Sequence, residues 1–221
     1  MASRLSAGAA RMFGTQQAVV EVLAELCKRS DRPRALDVGC GDGRHLLALA
    51  AEVRSGVGID VSPDAIRAAV EAAARFDHLE FRLQPVERLP ETELGRFELV
   101  LFIGSLEHMA DPLAAIEAAR SRLHPNGRVV IAAISPRAPH AVLSRIALRR
   151  SAMPVIGHLG VEGVRRLAAR SGLRVEAVRP LYRGRGRSGW FQALLSVYDR
   201  LGGPTHAVVL APQGAAPIPN G

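Results

Sequence analysis

The stretch Leu36-Asp37-Val38-Gly39-Cys40-Gly41-Asp42-Gly43 decides the fold of this 221-residue chain. A strand-like run, Arg34–Val38, ends in alternating glycines, and a helical pattern from His45 to Val53 follows. A strand that breaks into glycines and reopens as a helix is the junction of a parallel α/β unit. Glycine lets the backbone turn sharply and meet a ligand with no Cβ in the way. The helix N-terminus behind it leaves N–H groups unbonded. The spacing G-x-G-x-G departs from the dinucleotide fingerprint G-x-G-x-x-G, whose third glycine falls on Arg44 here. Asp37, two residues before the first glycine, repels a pyrophosphate and pairs with a cationic amino-acid group. The motif therefore points to a cationic, phosphate-free ligand.

A second acid stands one strand further on. Gly56–Ile59 reads as a strand, and Asp60 ends it, 17 residues past Gly43. A carboxylate at that edge accepts both hydroxyls of a ribose. Ser62-Pro63 then opens a helix, with the hydroxyl at N-cap and proline at N1, so capping does not require Asp60.

The same alternation extends in both directions. Ala18, Val19, Val22, Leu23 and Leu26 recur at helical spacing over 15–29. Leu79–Leu83 and Phe97–Ile103 read as strands three and four. Asp111-Pro112 starts a helix, Pro125-Asn126-Gly127 is a turn, and Arg128–Ile134 is strand five. Beyond Ser135 the pattern loosens. Arg137–Arg150 reads as a basic helix and Val161–Arg170 as a helix closed by Gly172. Leu173–Val178 is strand six, Arg183–Arg187 a loop, Trp190–Leu201 an apolar helix and His206–Leu210 a last strand. The run from Pro212 to Gly221 is Pro/Gly/Ala-rich and expected to be a disordered tail.

Five ordered blocks over about 100 residues resemble the class I S-adenosylmethionine-dependent methyltransferases, in their type 11 small-molecule, quinone-biosynthesis-like group. They are ALDVGCGDG, VGIDVS, LEFRLQPVERLP, FELVLFIGSLEHMADP and LAAIEAARSRLHPNGRVVIA. The resemblance implies an α/β, Rossmann-like, seven-stranded and mostly parallel sheet, with helices on both faces and the last strand antiparallel. It implies S-adenosyl-L-methionine as cofactor. Asp37 and the backbone at Gly39, Cys40, Gly41 and Gly43 would hold the methionine part. Asp60 would hold the ribose, Val61 would pack on adenine, and Ile103 and Gly104 would line the floor. The family's loop after strand three reads G-D-A-x-x-L-P; this chain has Gln84-Pro85-Val86-Glu87-Arg88-Leu89-Pro90, with proline at the acid's place. Gln84 offers a carbonyl there, and the Val86 N–H can still meet the ring.

An O- or C-acceptor usually needs a base. His108 follows Glu107 just past strand four and reads equally as a base or as a brace of that loop. His158, before the Val161 helix, is a candidate for the substrate side. Some relatives bind a divalent ion through Glu-x-x-Glu-His, but Gly104 occupies the first glutamate position, so no metal is expected. The Asn/Asp-Pro-Pro-Tyr/Phe run of nucleic-acid amine methyltransferases is absent after strand four, which argues against DNA. Residues 1–211 are expected to form one methyltransferase domain, with a cofactor core over 30–135 and a substrate lid with the C-terminal strands over 136–211.

Composition bounds the rest. Apolar residues are 48% and charged residues 23%, as in globular proteins. Cys27 and Cys40 are too few for a disulfide framework, and no apolar run reaches the roughly 20 residues of a membrane span. The opening residues lack an apolar leader; Arg4 and Arg11 mimic a transit peptide, but a core-packing helix begins by Gln16, so a cytoplasmic protein is expected. Residues 1–110 carry 13 basic and 16 acidic side chains, whereas 111–221 carry 16 basic and 5 acidic. Twelve arginines fall between Arg137 and Arg187. They read as a solvated face or as contacts to an anionic acceptor. The Trp190–Leu201 helix reads as core, dimer face or peripheral membrane contact, in a monomer or homodimer. The leading expectation is methylation of a small or lipid-like, anionic acceptor, at O before C or N. The alternatives are an RNA methyltransferase, against which stand only 4% aromatics, and a non-catalytic cofactor-binding scaffold.

Overall fold

The computed structural model describes residues 15–134, 159–181 and 205–217. In chain order these form α1 (Thr15–Arg29), β1 (Arg34–Val38), α2 (Arg44–Ala48), β2 (Ser55–Asp60), α3 (Pro63–Ala72) and β3 (Leu79–Leu83). There follow β4 (Phe97–Ile103), α4 (Pro112–Ser121), β5 (Leu123–Ile134), α5 (Val161–Arg170), β6 (Leu173–Pro180) and β7 (Thr205–Pro212). Short 3₁₀ turns lie at Val86–Glu91 and Leu106–His108.

The strands make one sheet in the order β3-β2-β1-β4-β5-β7-β6. The pairs from β3 to β5 are parallel, whereas β7 runs antiparallel to both β5 and β6. This is the expected fold class. Strands buried on both faces send alternate side chains to two cores. Leu36, Val38, Val100, Phe102, Val129 and Ile131 pack against Ile116 of α4 and Val164 of α5. Ala35, Leu99, Leu101, Val130 and Ala132 pack against Leu23 of α1, Leu46 of α2 and Ala69 of α3.

Local chemistry sets the helix starts. The Ser62 hydroxyl accepts from the Ala65 N–H at 3.3 Å, and the Asp111 carboxylate accepts from Leu113 and Ala114 at 2.9 and 3.0 Å. Proline at the first helical position of α3 and α4 completes both starts.

Three expectations differ from the structure. The helix expected over His45–Val53 ends at Ala48, because its later N–H groups turn to carbonyls three residues back, such as Glu52 to Leu49. That tightening buries both Leu49 and Val53. Strand five begins at Leu123, pairing with Phe97 before a register shift absorbs Pro125-Asn126-Gly127. The tail expected to be disordered from Pro212 is held at its start. Pro212 ends β7, Ala215 is buried, and the carbonyls of Ala215 and Ala216 accept from Arg174 and Arg128. The Arg137–Arg150, Arg183–Arg187 and Trp190–Leu201 segments lie outside the described residues.

Arg128 organises the antiparallel end. It is 4% exposed and reaches across β7 to Glu176, which lies at the register shift of β6. Its other N–H groups go to the carbonyls of Asn126, Gly127 and Ala216. Removing one partner of a buried ion pair leaves the other uncompensated. Arg128→Ala is therefore expected to lower the unfolding free energy by about 3–5 kcal/mol in urea titrations. A loss below about 1 kcal/mol would show that water replaces the guanidinium freely.

Candidate functional site

Where β1 and β4 lie side by side, their connections leave in opposite directions across the sheet. Such a switch point opens a crevice at the carboxyl ends of the strands. A cavity of about 460 Å³ occupies it. Its walls come from the ends of β1 (Val38, Gly39, Gly41), β2 (Ile59 to Ser62), the turn after β3 (Gln84, Val86, Glu87) and the loop after β4 (Gly104, Ser105, His108).

The glycine turn is held from three sides. The N–H groups of Gly39 and Cys40 both donate to the Ile59 carbonyl, at 2.8 and 3.0 Å. The Ser105 hydroxyl donates to the Val38 carbonyl at 2.6 Å. Gly39 has φ +72°, and a Cβ there would stand 2.5 Å from the Ser105 Cβ. Only glycine lets the ends of β1 and β4 come this close. Asp60 supplies the third tie: its Oδ2 accepts from the Gly41 N–H at 2.8 Å and its Oδ1 from the Ser62 N–H at 2.9 Å. One carboxylate thus both forms the cavity wall and fixes the loop opposite.

The charges around this turn have different fates. Asp42 forms a bidentate pair with Arg44, both contacts 2.7 Å, and that hydrogen bonding holds its carboxyl below the usual carboxylate range. Asp37 is 1% exposed, and neither of its oxygens has a hydrogen-bond donor among the described residues. The His45 Nδ1 stands 3.7 Å from it. A buried carboxylate without donors is costly, so the position calls for a cation or donors from a ligand. In the wall, the Gln84 Nε2 is likewise buried without a partner among the described residues. Val61 is 64% exposed at the rim, an apolar side chain open to a flat ring. The described lining includes Asp60 and Glu87 but neither Arg nor Lys.

The residues singled out in the sequence distribute as follows. Gly39, Gly41, Asp60, Val61, Gln84, Val86, Gly104 and His108 meet at the cavity. Asp37 lies behind it, two residues before Gly39. Cys40, Gly43 and Ile103 are not brought to the cavity wall. Cys40 is turned inward, where a Cβ on Gly58 would stand 2.8 Å from its sulfur. Gly43 is packed so tightly that a Cβ would lie 2.6 Å from the Phe81 ring. Ile103 packs on the core behind the sheet. Their side-chain positions face the interior, which strand alternation foretells for Ile103 and not for Cys40. His158 lies outside the described residues. Ser105, Met109 and Glu87 also line the cavity and were not anticipated; Ser105 carried no signal because its role depends on Gly39 across the sheet. No cluster of three metal-ligating side chains occurs among the described residues.

Strand order and cleft chemistry together place the chain among the class I S-adenosylmethionine-dependent methyltransferases. A family model described as a methyltransferase domain matches residues 30–155, and the chain belongs to that family. Among curated proteins, the chain is 36% identical over 112 residues to a ubiquinone biosynthesis O-methyltransferase of Xanthomonas campestris pv. campestris, covering 49% of this chain and 45% of that protein. It is 35% identical over 116 residues to the protein of the same name from Psychrobacter arcticus, covering 51% and 45%. The chain thus spans less than half the length of these relatives. The plantazolicin methyltransferase BamL, solved in complex with a triazolic desmethylPZN analogue and S-adenosylhomocysteine, superposes with a TM-score of 0.67 at 17% identity, over 96% of this chain and 91% of that one. That likeness is one of fold.

The residues present fit S-adenosylmethionine. The orphaned Asp37 and Gln84 groups, the acidic lining and the exposed Val61 suit an ammonium, a base and a ribose, and no arginine is placed for a phosphate among the described residues.

Burial, reinforced by Asp37 and Asp60 nearby, pushes the Cys40 thiol far above its ordinary range. Burial and Glu52 push Cys27 up to about 12. The thiolate is the reactive form. Iodoacetamide at pH 8 is therefore expected to label neither cysteine in the folded protein and both in urea, as read by mass spectrometry. Rapid labelling of Cys40 in the native state would show that the glycine turn opens.

Proposed function

We propose that this chain transfers a methyl group from S-adenosylmethionine to oxygen on a small or lipid-like acceptor bearing an anionic group. The carrying observation is the cavity at the switch point, whose described lining holds acids and no arginine, with the buried Asp37 carboxylate beside it lacking donors among the described residues. The name of the curated relatives supports oxygen as the attacked atom. The arginines concentrated between Arg137 and Arg187 support an anionic acceptor.

In this reading Asp37 balances the ammonium of the methionine part, and the turn from Gly39 to Gly41 passes under it without side chains. Asp60 accepts from the ribose hydroxyls with the lone pairs left free by Gly41 and Ser62. Val61 and Val86 cover the faces of the base. When bound, the cofactor supplies an electrophilic methyl on a sulfonium, so the chemistry of activation is its own. The protein's share is alignment of the acceptor and exclusion of water. His108, on the 3₁₀ turn after β4, lines the same cavity and takes the proton from the acceptor hydroxyl onto its imidazole. His158 is assigned to the acceptor side.

The test is methyl incorporation from labelled S-adenosylmethionine into a panel of hydroxylated aromatic and aliphatic compounds, with and without a carboxylate. The expected result is an O-methyl product with preference for the anionic members. Cofactor binding with no turnover on any member would overturn the reading in favour of a scaffold, and label in RNA in favour of an RNA substrate.

Two substitutions sharpen the assignment. Asp60→Ala is expected to weaken S-adenosylhomocysteine binding by about 1.5–3 kcal/mol in calorimetry, the worth of a charged hydrogen bond; unchanged affinity would remove Asp60 from the ribose. His108→Ala should lower kcat by about 10²-fold or more while leaving that affinity intact. A normal kcat would make His108 a brace of the loop.

A further inference from the structure

The crevice opens where one ladder stops. Pairing of β1 with β4 ends at Asp37 and Leu101, although β1 continues to Val38 and β4 to Ile103. The two sides of the turn after β1 are then held by different means. Toward β2, the Gly39 and Cys40 N–H groups donate to the Ile59 carbonyl and the Gly41 N–H donates to Asp60. Toward β4, a side chain makes the bridge. Ser105, 7% exposed, donates its hydroxyl proton to the Val38 carbonyl at 2.6 Å. The same residue anchors the next loop. Its own carbonyl accepts from the His108 N–H at 3.0 Å, which closes the 3₁₀ turn Leu106–His108.

One residue thus joins the end of β1 to the turn that presents His108. Its proton is committed to Val38, so its share in the reaction passes through other groups. We infer that Ser105 is a positioning residue for methyl transfer: its hydroxyl fixes the His108 turn against the glycine turn. The inference rests on the reading of His108 as the base. A base works only within about 2.6–3.2 Å of the atom whose proton it takes, so a small displacement of its loop costs rate. Without the hydroxyl, a buried carbonyl loses a donor and the loop after β4 loses its bridge. The glycine turn keeps its ties to Ile59 and Asp60. The hydroxyl therefore bears on turnover and not on cofactor affinity, which separates it from a residue that only stabilises the fold.

The experiment is a double-mutant cycle on the full chain, with Ser105→Ala, His108→Ala and the two combined. Rates are measured with labelled S-adenosylmethionine and the hydroxylated compound that the wild type methylates fastest. S-adenosylhomocysteine affinity is read by calorimetry. In Ser105→Ala, kcat is expected to fall by about tenfold to 10²-fold, with acceptor KM and S-adenosylhomocysteine Kd within about threefold of wild type. In the His108→Ala background the same substitution is expected to change kcat by less than about twofold, because nothing is left to position. Ser105→Cys, of similar size but a weaker donor, is expected to fall between Ser105→Ala and wild type. It takes the alanine variant's place in the cycle if a melting scan shows that variant to be unfolded. An unchanged kcat in Ser105→Ala overturns the inference, as does an equal loss with and without His108, or a loss confined to Kd. A wild type that methylates no compound overturns the proposed function, and a His108→Ala chain with normal kcat overturns the base; the inference falls with either.

Discussion

Three strands end at one point because a single residue has no side chain there. The Gly39 backbone lies against Ser105, whose hydroxyl closes on the Val38 carbonyl, while Ile59 takes two N–H groups from the turn. A methyl at Gly39 would have to push the loop after β4 away, and with it His108 and the far wall of the cavity. The width of the crevice is thus set by a backbone contact between β1 and the loop following β4. Asp60 locks the other side by taking the Gly41 N–H, so a carboxylate of the cavity wall also holds the turn in shape.

Electrostatics around that turn are sorted by burial. Asp42 finds Arg44 within the same loop and is neutralised at the surface. Asp37, on β1, is buried, with the His45 Nδ1 3.7 Å away. Such a carboxylate is costly to bury, and a cation or hydrogen-bond donors beside it relieve that cost. Ligand binding to the folded state alone raises stability by mass action.

The other end of the sheet solves a different problem. Reversing β7 between β5 and β6 leaves carbonyls and a bulge at the sheet's edge, and Arg128 gathers them. Its contacts to Glu176 and to the chain beyond β7 tie three distant stretches of sequence together. This end lies far along the sheet from the cavity, and its chemistry is that of stability.

Local chemistry made most of the elements legible. Glycines after a strand, serine and aspartate caps before proline, and alternating apolar runs act over a few residues, so β1, β3, β4 and the starts of α3 and α4 follow from sequence alone. The family resemblance added the seven-stranded sheet and its antiparallel last strand. What the chain by itself could not reveal are the early end of α2, where later N–H groups bond three residues back, the inward turn of Cys40, and the pairing of Ser105 with Val38. The order in residues 212–217 belongs with these, because it depends on an arginine more than eighty residues earlier. The sequence determined which groups are available, acids and glycines at strand ends. The tertiary structure alone decided which of them face one cavity, because that depends on how close neighbouring strands can come and which side chains the sheet turns inward.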